Sequence, residues 1–442
     1  MKARWGFGLA SLGLGLAVAA ASMREAAPAY ARYAGQTEPV RLIPSLTGEP
    51  EYCLTCHQGI EEISAAHPVE VFGCVRCHGG NRISLDAQGA HAGLLGGGNP
   101  SDFSAVDAAC GGTDCHSGES TEERDHIARS MTSVQSTYAG AIASVRYTFG
   151  AQPDPTARYG IRAVSDPLVT SVTGVPAIAA FASIVEEDPQ AVQDFAAECL
   201  TCHLESEPRA GSGYQRLTGC AACHSPSGLD GAYVGDDPTI QGDEPGHASV
   251  HRLTTAIPYT QCDSCHNRGN YDLVTMTFHE RSDLPTDGRA SRIEDYYQPI
   301  AQFTKCEWEL DCVDCHTSQE VMGDGDLHSN QSEVRYIQCS TCHGTLDDGP
   351  LTMTITDPDD QALRRARLNP VVDLQVGDTV VVTSRGEALW NVIQQPDGRL
   401  VMVGKATRMN YEVPLVKGSE CEQDPAKQES SACHVCHAVE RP

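Results

Sequence analysis

Apolar and polar positions alternate with different periods along the chain, and four stretches predict elements. Trp5 to Ala21 form an apolar run behind Lys2 and Arg4. That is the profile of a secretory signal, with cleavage expected after Ala19-Ala20-Ala21 or Ala29-Tyr30-Ala31. A retained single-helix anchor is the alternative, because the run is near the shortest length that spans a bilayer. Residues 120–149 carry apolar positions at helical spacing behind Ser120 and Thr121, which suit a cap. Residues 175–198 predict a second helical stretch broken at Pro189. Residues 371–416 alternate apolar and polar around an Asp397-Gly398 turn and predict a small antiparallel unit of four or five strands.

Composition changes this picture in one respect. The 442 residues include 41 Gly and 25 Pro but only 6% aromatic residues. A side-chain core alone looks thin for that length, so something other than side chains is expected to fill the interior. The formal net charge of −28 makes nucleic acid and anionic lipid poor partners. The acidic stretch 228–247 has the residue types of a calcium loop, and a solvated loop is the preferred reading there.

The 20 cysteines are the strongest signal. Cys-x-x-Cys-His occurs eight times: Cys53/Cys56/His57, Cys74/Cys77/His78, Cys199/Cys202/His203, Cys220/Cys223/His224, Cys262/Cys265/His266, Cys312/Cys315/His316, Cys339/Cys342/His343 and Cys433/Cys436/His437. A ninth site, Cys110/Cys115/His116, has a four-residue gap. Random placement of these cysteines and histidines does not yield such a set. The motif is the one read as c-type haem attachment: two thiols bind the haem edge covalently and the adjacent histidine ligates the iron. Zinc is the competing reading, but paired Cys-x-x-Cys sites for zinc do not require a histidine at the fifth position.

Eight histidines lie outside the attachment positions: His67, His91, His126, His247, His251, His279, His328 and His434. Each is expected as a distal ligand, since imidazole suits iron. His434 sits inside the last motif, whose two thioether bonds would hold the chain end down. With eight such histidines for nine sites, at least one iron lacks its own, and the sites at Cys199/Cys202 and Cys220/Cys223 are the candidates. The reason is an echo: Cys53 to Cys74 and Cys199 to Cys220 share spacing and wording, but Tyr214 stands near where His67 stands in the first copy. Met131 and Met276 are alternative ligands there. Cys306 and Cys421 remain outside every motif and are expected to form a disulfide.

From Cys53 to His437 the chain resembles the multihaem c-type cytochromes, and within them the large exported bacterial proteins of periplasmic or extracellular electron transfer. The resemblance implies a fold of loops and short α-helices wrapped around stacked haems, with the small β unit near the C-terminus. It also implies haem attachment after export. The expected organisation is a signal at 1–31, a three-haem segment at 32–118, a helical connection at 119–198, a five-haem segment at 199–370, the β unit at 371–418 and a C-terminal haem segment at 419–442. The function expected is electron carriage along nine covalent haems between redox proteins or to an extracellular acceptor, with self-assembly as an option. The alternative is a multihaem oxidoreductase of the nitrite, hydroxylamine or tetrathionate type, with one open iron.

Overall fold

The computed structural model describes residues 30, 38–120, 123–206, 216–226, 233–240, 250–258, 261–262, 265, 270–272, 277–279, 303–304, 310–330, 333–418 and 438–439. The expected signal segment (except Tyr30), the last motif, and Cys306 and Cys421, which are expected to pair, lie outside these residues. No helix among the described residues is long and apolar enough to cross a membrane.

The N-terminal part, 38–120, has short helices and turns but little apolar packing of its own. Its first two motifs are clamped by one buried carboxylate. Glu51 accepts hydrogen bonds from the backbone N–H groups of Cys74 (2.8 Å) and Val75 (3.3 Å), at the start of helix Val75–His78. Those N–H groups have no partner inside the helix, and a carboxylate suits the positive end of its dipole. Gly73 precedes this turn with φ +68°, and a Cβ there would meet the Glu51 carboxylate at 2.6 Å. The same device recurs in the echo. Gly219 has φ +64°, and the N–H groups of Cys220 and Ala221 are satisfied by Ser101 O and Ser101 Oγ.

The middle of the chain is built on helix Ala139–Thr148. The expected single helix over 120–149 is instead three pieces, His126–Thr132, Val134–Thr137 and Ala139–Thr148. Ser133 caps the second piece through Ser136 N, and Tyr138 adopts the left-handed region between the second and third. Local side-chain hydrogen bonds of this kind compete with helix continuation. Residues 175–198 also differ from expectation. Strand β3 (Ala177–Ala180) pairs with β1 (Tyr159–Gly160) and β2 (Val164–Ser165), and a helix begins only after Pro189, at Gln190–Glu198. Ile142, Val145, Phe181, Val192 and Phe195 form the core between them. Two further two-stranded pairs, β4 (Asn270–Asp272) with β5 (Thr277–His279) and β6 (Phe303–Thr304) with β12 (Ala438–Val439), complete the smaller sheets.

The C-terminal unit is a five-stranded antiparallel sheet of β7 (Thr352–Thr354), β8 (Thr379–Val382), β9 (Ala388–Gln394), β10 (Leu400–Val403) and β11 (Asn410–Val413), in the order β11-β10-β9-β8-β7. Four strands fall inside the expected 371–416, and β7 is added from before it. The Asp397-Gly398 turn joins β9 to β10, with Gly398 at φ +86°. One face of the sheet packs on helix Gln361–Leu368 through Leu363, Val380 and Trp390. The other face packs on two attachment motifs, with Val381, Leu389 and Leu400 against Cys342, Cys315 and Ile337. Both faces are therefore covered, which is why consecutive residues of β8 are buried.

Asp314, inside the Cys312/Cys315 motif, fastens the sheet to that motif. It is fully buried and accepts hydrogen bonds from Lys405 N (2.6 Å) and Asp311 N (2.9 Å). Lys405 Nζ donates to Val313 O at 2.5 Å, and Asn391 Nδ2 donates to Asp314 O.

Candidate functional site

The first three motifs converge. The Arg76 guanidinium, from the second motif, donates to the carbonyls of Ala108, Ala109 and Gly111 at 2.8–3.1 Å. These are the orphan carbonyls at the end of helix Val106–Ala109, where the third motif begins. Cys53 Sγ, Cys74 Sγ and a Glu51 carboxylate oxygen lie within 4.8 Å of one another, so the first and second motifs touch at their leading cysteines. Between the three motifs runs a cavity of about 2220 Å³. It is lined by all six of their cysteines and by His57, His67, His78, His91, His116 and His251. Ordinary ligand pockets hold about 300–1,000 Å³, so one small molecule does not account for it.

Four pairs of histidine rings face each other in this region. Ring centres are 6.0 Å apart for His57 and His91, for His78 and His251, and for His67 and His116, and 5.4 Å apart for His116 and His126. Every pair joins one motif histidine to one histidine outside the motifs. Imidazole nitrogens about 2.0–2.1 Å from a shared metal, each with its ring centre roughly 1.1 Å further out, place the two centres about 6.3 Å apart. The observed spacing fits two imidazoles on opposite sides of one iron. Aromatic packing alone gives similar distances but has no reason to select motif with non-motif rings every time.

The second ring nitrogen supports the same reading. His57 Nδ1 meets Asp237 Oδ2 at 2.7 Å, His67 Nδ1 meets Ser64 Oγ at 2.9 Å, and His251 Nδ1 meets Glu61 O at 3.0 Å. With Nδ1 engaged, Nε2 is left for a metal, the usual arrangement for ligating histidines. Glu61 holds the His251 segment further, accepting from His251 N, Asp236 N and the Tyr233 hydroxyl. His126 differs. Its Nδ1 receives a hydrogen bond from Arg129 Nη2 at 2.9 Å, which leaves the proton of the neutral ring on Nε2. Of the two rings flanking His116, His67 is therefore the better ligand.

Electrostatics agree with neutral imidazoles here. Burial pushes His67 below the ordinary histidine value, and holds His78 and His126 at about 4. His57 is the exception: its hydrogen bond to Asp237 raises it, against the effect of burial.

The later motifs are described in part. Cys110 of the third site and Cys220 of the fifth both pack on Phe103, Val106 and Ile127, so sites far apart in sequence are neighbours. Cys265 Sγ donates to Cys202 O at 2.9 Å, which sets the sixth site beside the fourth. His224 Nδ1 meets Thr254 O at 2.9 Å, His343 Nδ1 meets Pro414 O at 2.7 Å, and His316 Nδ1 meets Glu320 Oε2 at 2.9 Å. His203 Nδ1 accepts from Glu205 N at 3.2 Å, and burial lowers His203 to about 4. Among the described residues no histidine ring pairs with His203 or His224 at the 6 Å spacing. Met131 Sδ accepts from Arg162 Nη2 at 3.2 Å and packs in the cluster with Cys110 and Cys220.

His328 is placed differently from expectation. It is buried, its Nε2 lies 2.9 Å from Asp324 Oδ1, and its Nδ1 lies 3.5 Å from Glu333 Oε2. With both nitrogens turned to carboxylates, its geometry is that of a structural ion pair. His279 is on β5, where only the backbone is described. His247, His266, His434, His437, Cys433, Cys436, Met276 and Tyr214 lie outside the described residues.

Two residues escaped the sequence reading. Glu320 is four residues beyond His316, a spacing visible in the sequence but common by chance. Asp237 meets His57 across 180 residues, in the stretch read as a solvated acidic loop, and only the fold brings them together.

Comparison with known protein families, characterised proteins and solved structures finds no match for this chain.

Proposed function

We propose that this chain is an electron-transfer protein that holds nine covalently attached c-type haems and passes electrons between redox partners outside the cytoplasm. The observation that carries the reading is the pairing of each ring: His57 with His91, His78 with His251, and His116 with His67 and His126, always one motif histidine with one outside it. Bound haem supplies a one-electron iron couple, and histidine on both sides keeps that couple low-spin and low in potential. The residues that attach the first three groups are Cys53/Cys56, Cys74/Cys77 and Cys110/Cys115, with ligand pairs His57/His91, His78/His251 and His116/His67.

The contacts between motifs support carriage over catalysis. Cys53 and Cys74 place the first site against the second, Arg76 ties the second to the third, and Cys110 and Cys220 place the third beside the fifth. Spatial order thus departs from sequence order after the third site. The signal-like start and the post-export attachment implied by the resemblance support a place outside the cytoplasm. A reductive titration of the oxidised protein tests the reading. Uptake and return of nine electron equivalents, with no cyanide-binding high-spin iron at the first three sites, is the expected result. A high-spin iron there that binds cyanide, together with turnover of nitrite, would replace carriage with catalysis.

A further inference from the structure

Among the described motif histidines, four turn Nδ1 to an oxygen acceptor of one of two chemical classes. His224 and His343 face backbone carbonyls, those of Thr254 and Pro414. His57 and His316 face carboxylates, at 2.7 Å and 2.9 Å. Both carboxylates are buried: the side chain of Asp237 is 0% exposed and that of Glu320 is 4% exposed. Both are also held rigidly. Asp237 Oδ1 accepts from Thr239 N at 2.8 Å and Thr239 Oγ1 at 2.7 Å, while Tyr233 Oη receives Asp237 N–H. Glu320 Oε1 accepts from Tyr336 N and Ile337 N, both at 2.8 Å, and Oε2 from Thr317 N. Among the described residues, no Lys or Arg joins either hydrogen-bond set. A surface carboxylate would be screened by water, but these act at short range in a poor dielectric.

We propose that Asp237 and Glu320 are positioning residues that lower the potential of the sites ligated by His57 and His316, relative to the carbonyl-paired sites of His224 and His343. The proposal rests on the haem reading above. A carboxylate at Nδ1 draws that proton and makes Nε2 a stronger donor to the iron, which favours the oxidised state. On reduction one electron enters and iron(III) becomes iron(II). No bond forms or breaks, and the Nδ1 proton stays on the histidine. The fixed negative charge opposes the added electron, so these two sites fill after the carbonyl-paired sites of His224 and His343 as electrons are supplied. The chain of sites is then uneven by construction.

The test is a potentiometric titration of the full haem-loaded chain and of Asp237→Asn and Glu320→Gln. Each variant is expected to move one of the nine components upward by a tenfold shift in its reduction equilibrium, about 59 mV for a one-electron couple. The other eight components, the haem count and the low-spin signals should stay unchanged. Asp237→Glu, which keeps the charge, should shift that component less than Asp237→Asn. The two carboxylates lie in separate parts of the molecule, so loss of haem in one variant leaves the other as the test. Variants that keep nine haems and move no component by as much as threefold overturn the proposal. Loss of haem in both variants also overturns it, because the carboxylates then serve folding alone. A wild-type chain without haem fails the underlying reading first, and is distinguished by the absence of any haem spectrum.

Discussion

His57 and His91 face each other with ring centres 6.0 Å apart, although 34 positions separate them in the chain. His57 belongs to an attachment motif and His91 does not. Replacing His91 by Ala removes one face of that site and leaves Cys53, Cys56 and His57 in place. One low-spin signal should be replaced by a high-spin one in the spectrum of the oxidised protein, with the haem count unchanged. An unaltered low-spin spectrum would show that His91 is not a ligand.

His67 and His126 both stand beside His116, at 6.0 Å and 5.4 Å. The Arg129 hydrogen bond to His126 Nδ1 disfavours that ring as a ligand. His67→Ala should therefore convert the third site to high spin, while His126→Ala should leave the first three sites low-spin. The reverse pattern would exchange their roles.

Gly219 tests the echo between the two modules. A Cβ at this position would lie 1.9 Å from Ser101 O, and φ is +64°. The left-handed conformation alone costs a non-glycine residue about 1–3 kcal/mol, and the clash with fixed backbone adds to it. Gly219→Ala should lower the urea midpoint and reduce attachment at Cys220 and Cys223, read as a chain one haem lighter. Gly377→Ala, where a Cβ meets nothing within 4 Å, also has positive φ and separates the strain from the clash.

Lys405 ties the sheet to the Cys312/Cys315 motif. Its ammonium is buried, and burial pushes its pKa down to about 8, against about 10.4 in an unfolded chain. Between those values the unfolded chain binds more protons than the folded one, so this residue's contribution to stability rises with pH from about 8 to about 10.4. In Lys405→Met that rise should disappear, seen as urea midpoints at pH 7.5 and pH 10.5 that lie closer together than in the wild type. Asp314→Ala should cost about 3–5 kcal/mol below pH 8, where Lys405 is charged, because it leaves that buried ammonium without a nearby counter-charge and the N–H groups of Lys405 and Asp311 without an acceptor.

What the sequence made legible follows the range of the forces involved. The cysteine–histidine motifs are local patterns of five to seven residues, so spacing alone finds Cys53 to His57 or Cys312 to His316. The sheet is also local: alternation in 379–413 and the Asp397-Gly398 turn specify adjacent antiparallel strands. Helix breaks were harder. Ser133 and Tyr138 interrupt an apolar period that otherwise runs through residues 126–148, and the interruption comes from side-chain hydrogen bonds that periodicity does not register. The pairing of histidine rings was not legible at all. His78 meets His251 and His57 meets Asp237 only after the chain has folded back over more than 170 residues. His328 shows the converse: its residue type suggests a ligand, and Asp324 hydrogen-bonds its Nε2 while Glu333 lies 3.5 Å from its Nδ1.

The intact mass of the denatured mature protein tests the central claim most directly. Covalent attachment survives denaturation, so nine haem increments on one chain are expected, with Cys110 and Cys115 among the modified cysteines. A mature chain that carries no covalent haem, with its motif cysteines free or holding zinc, would contradict the account.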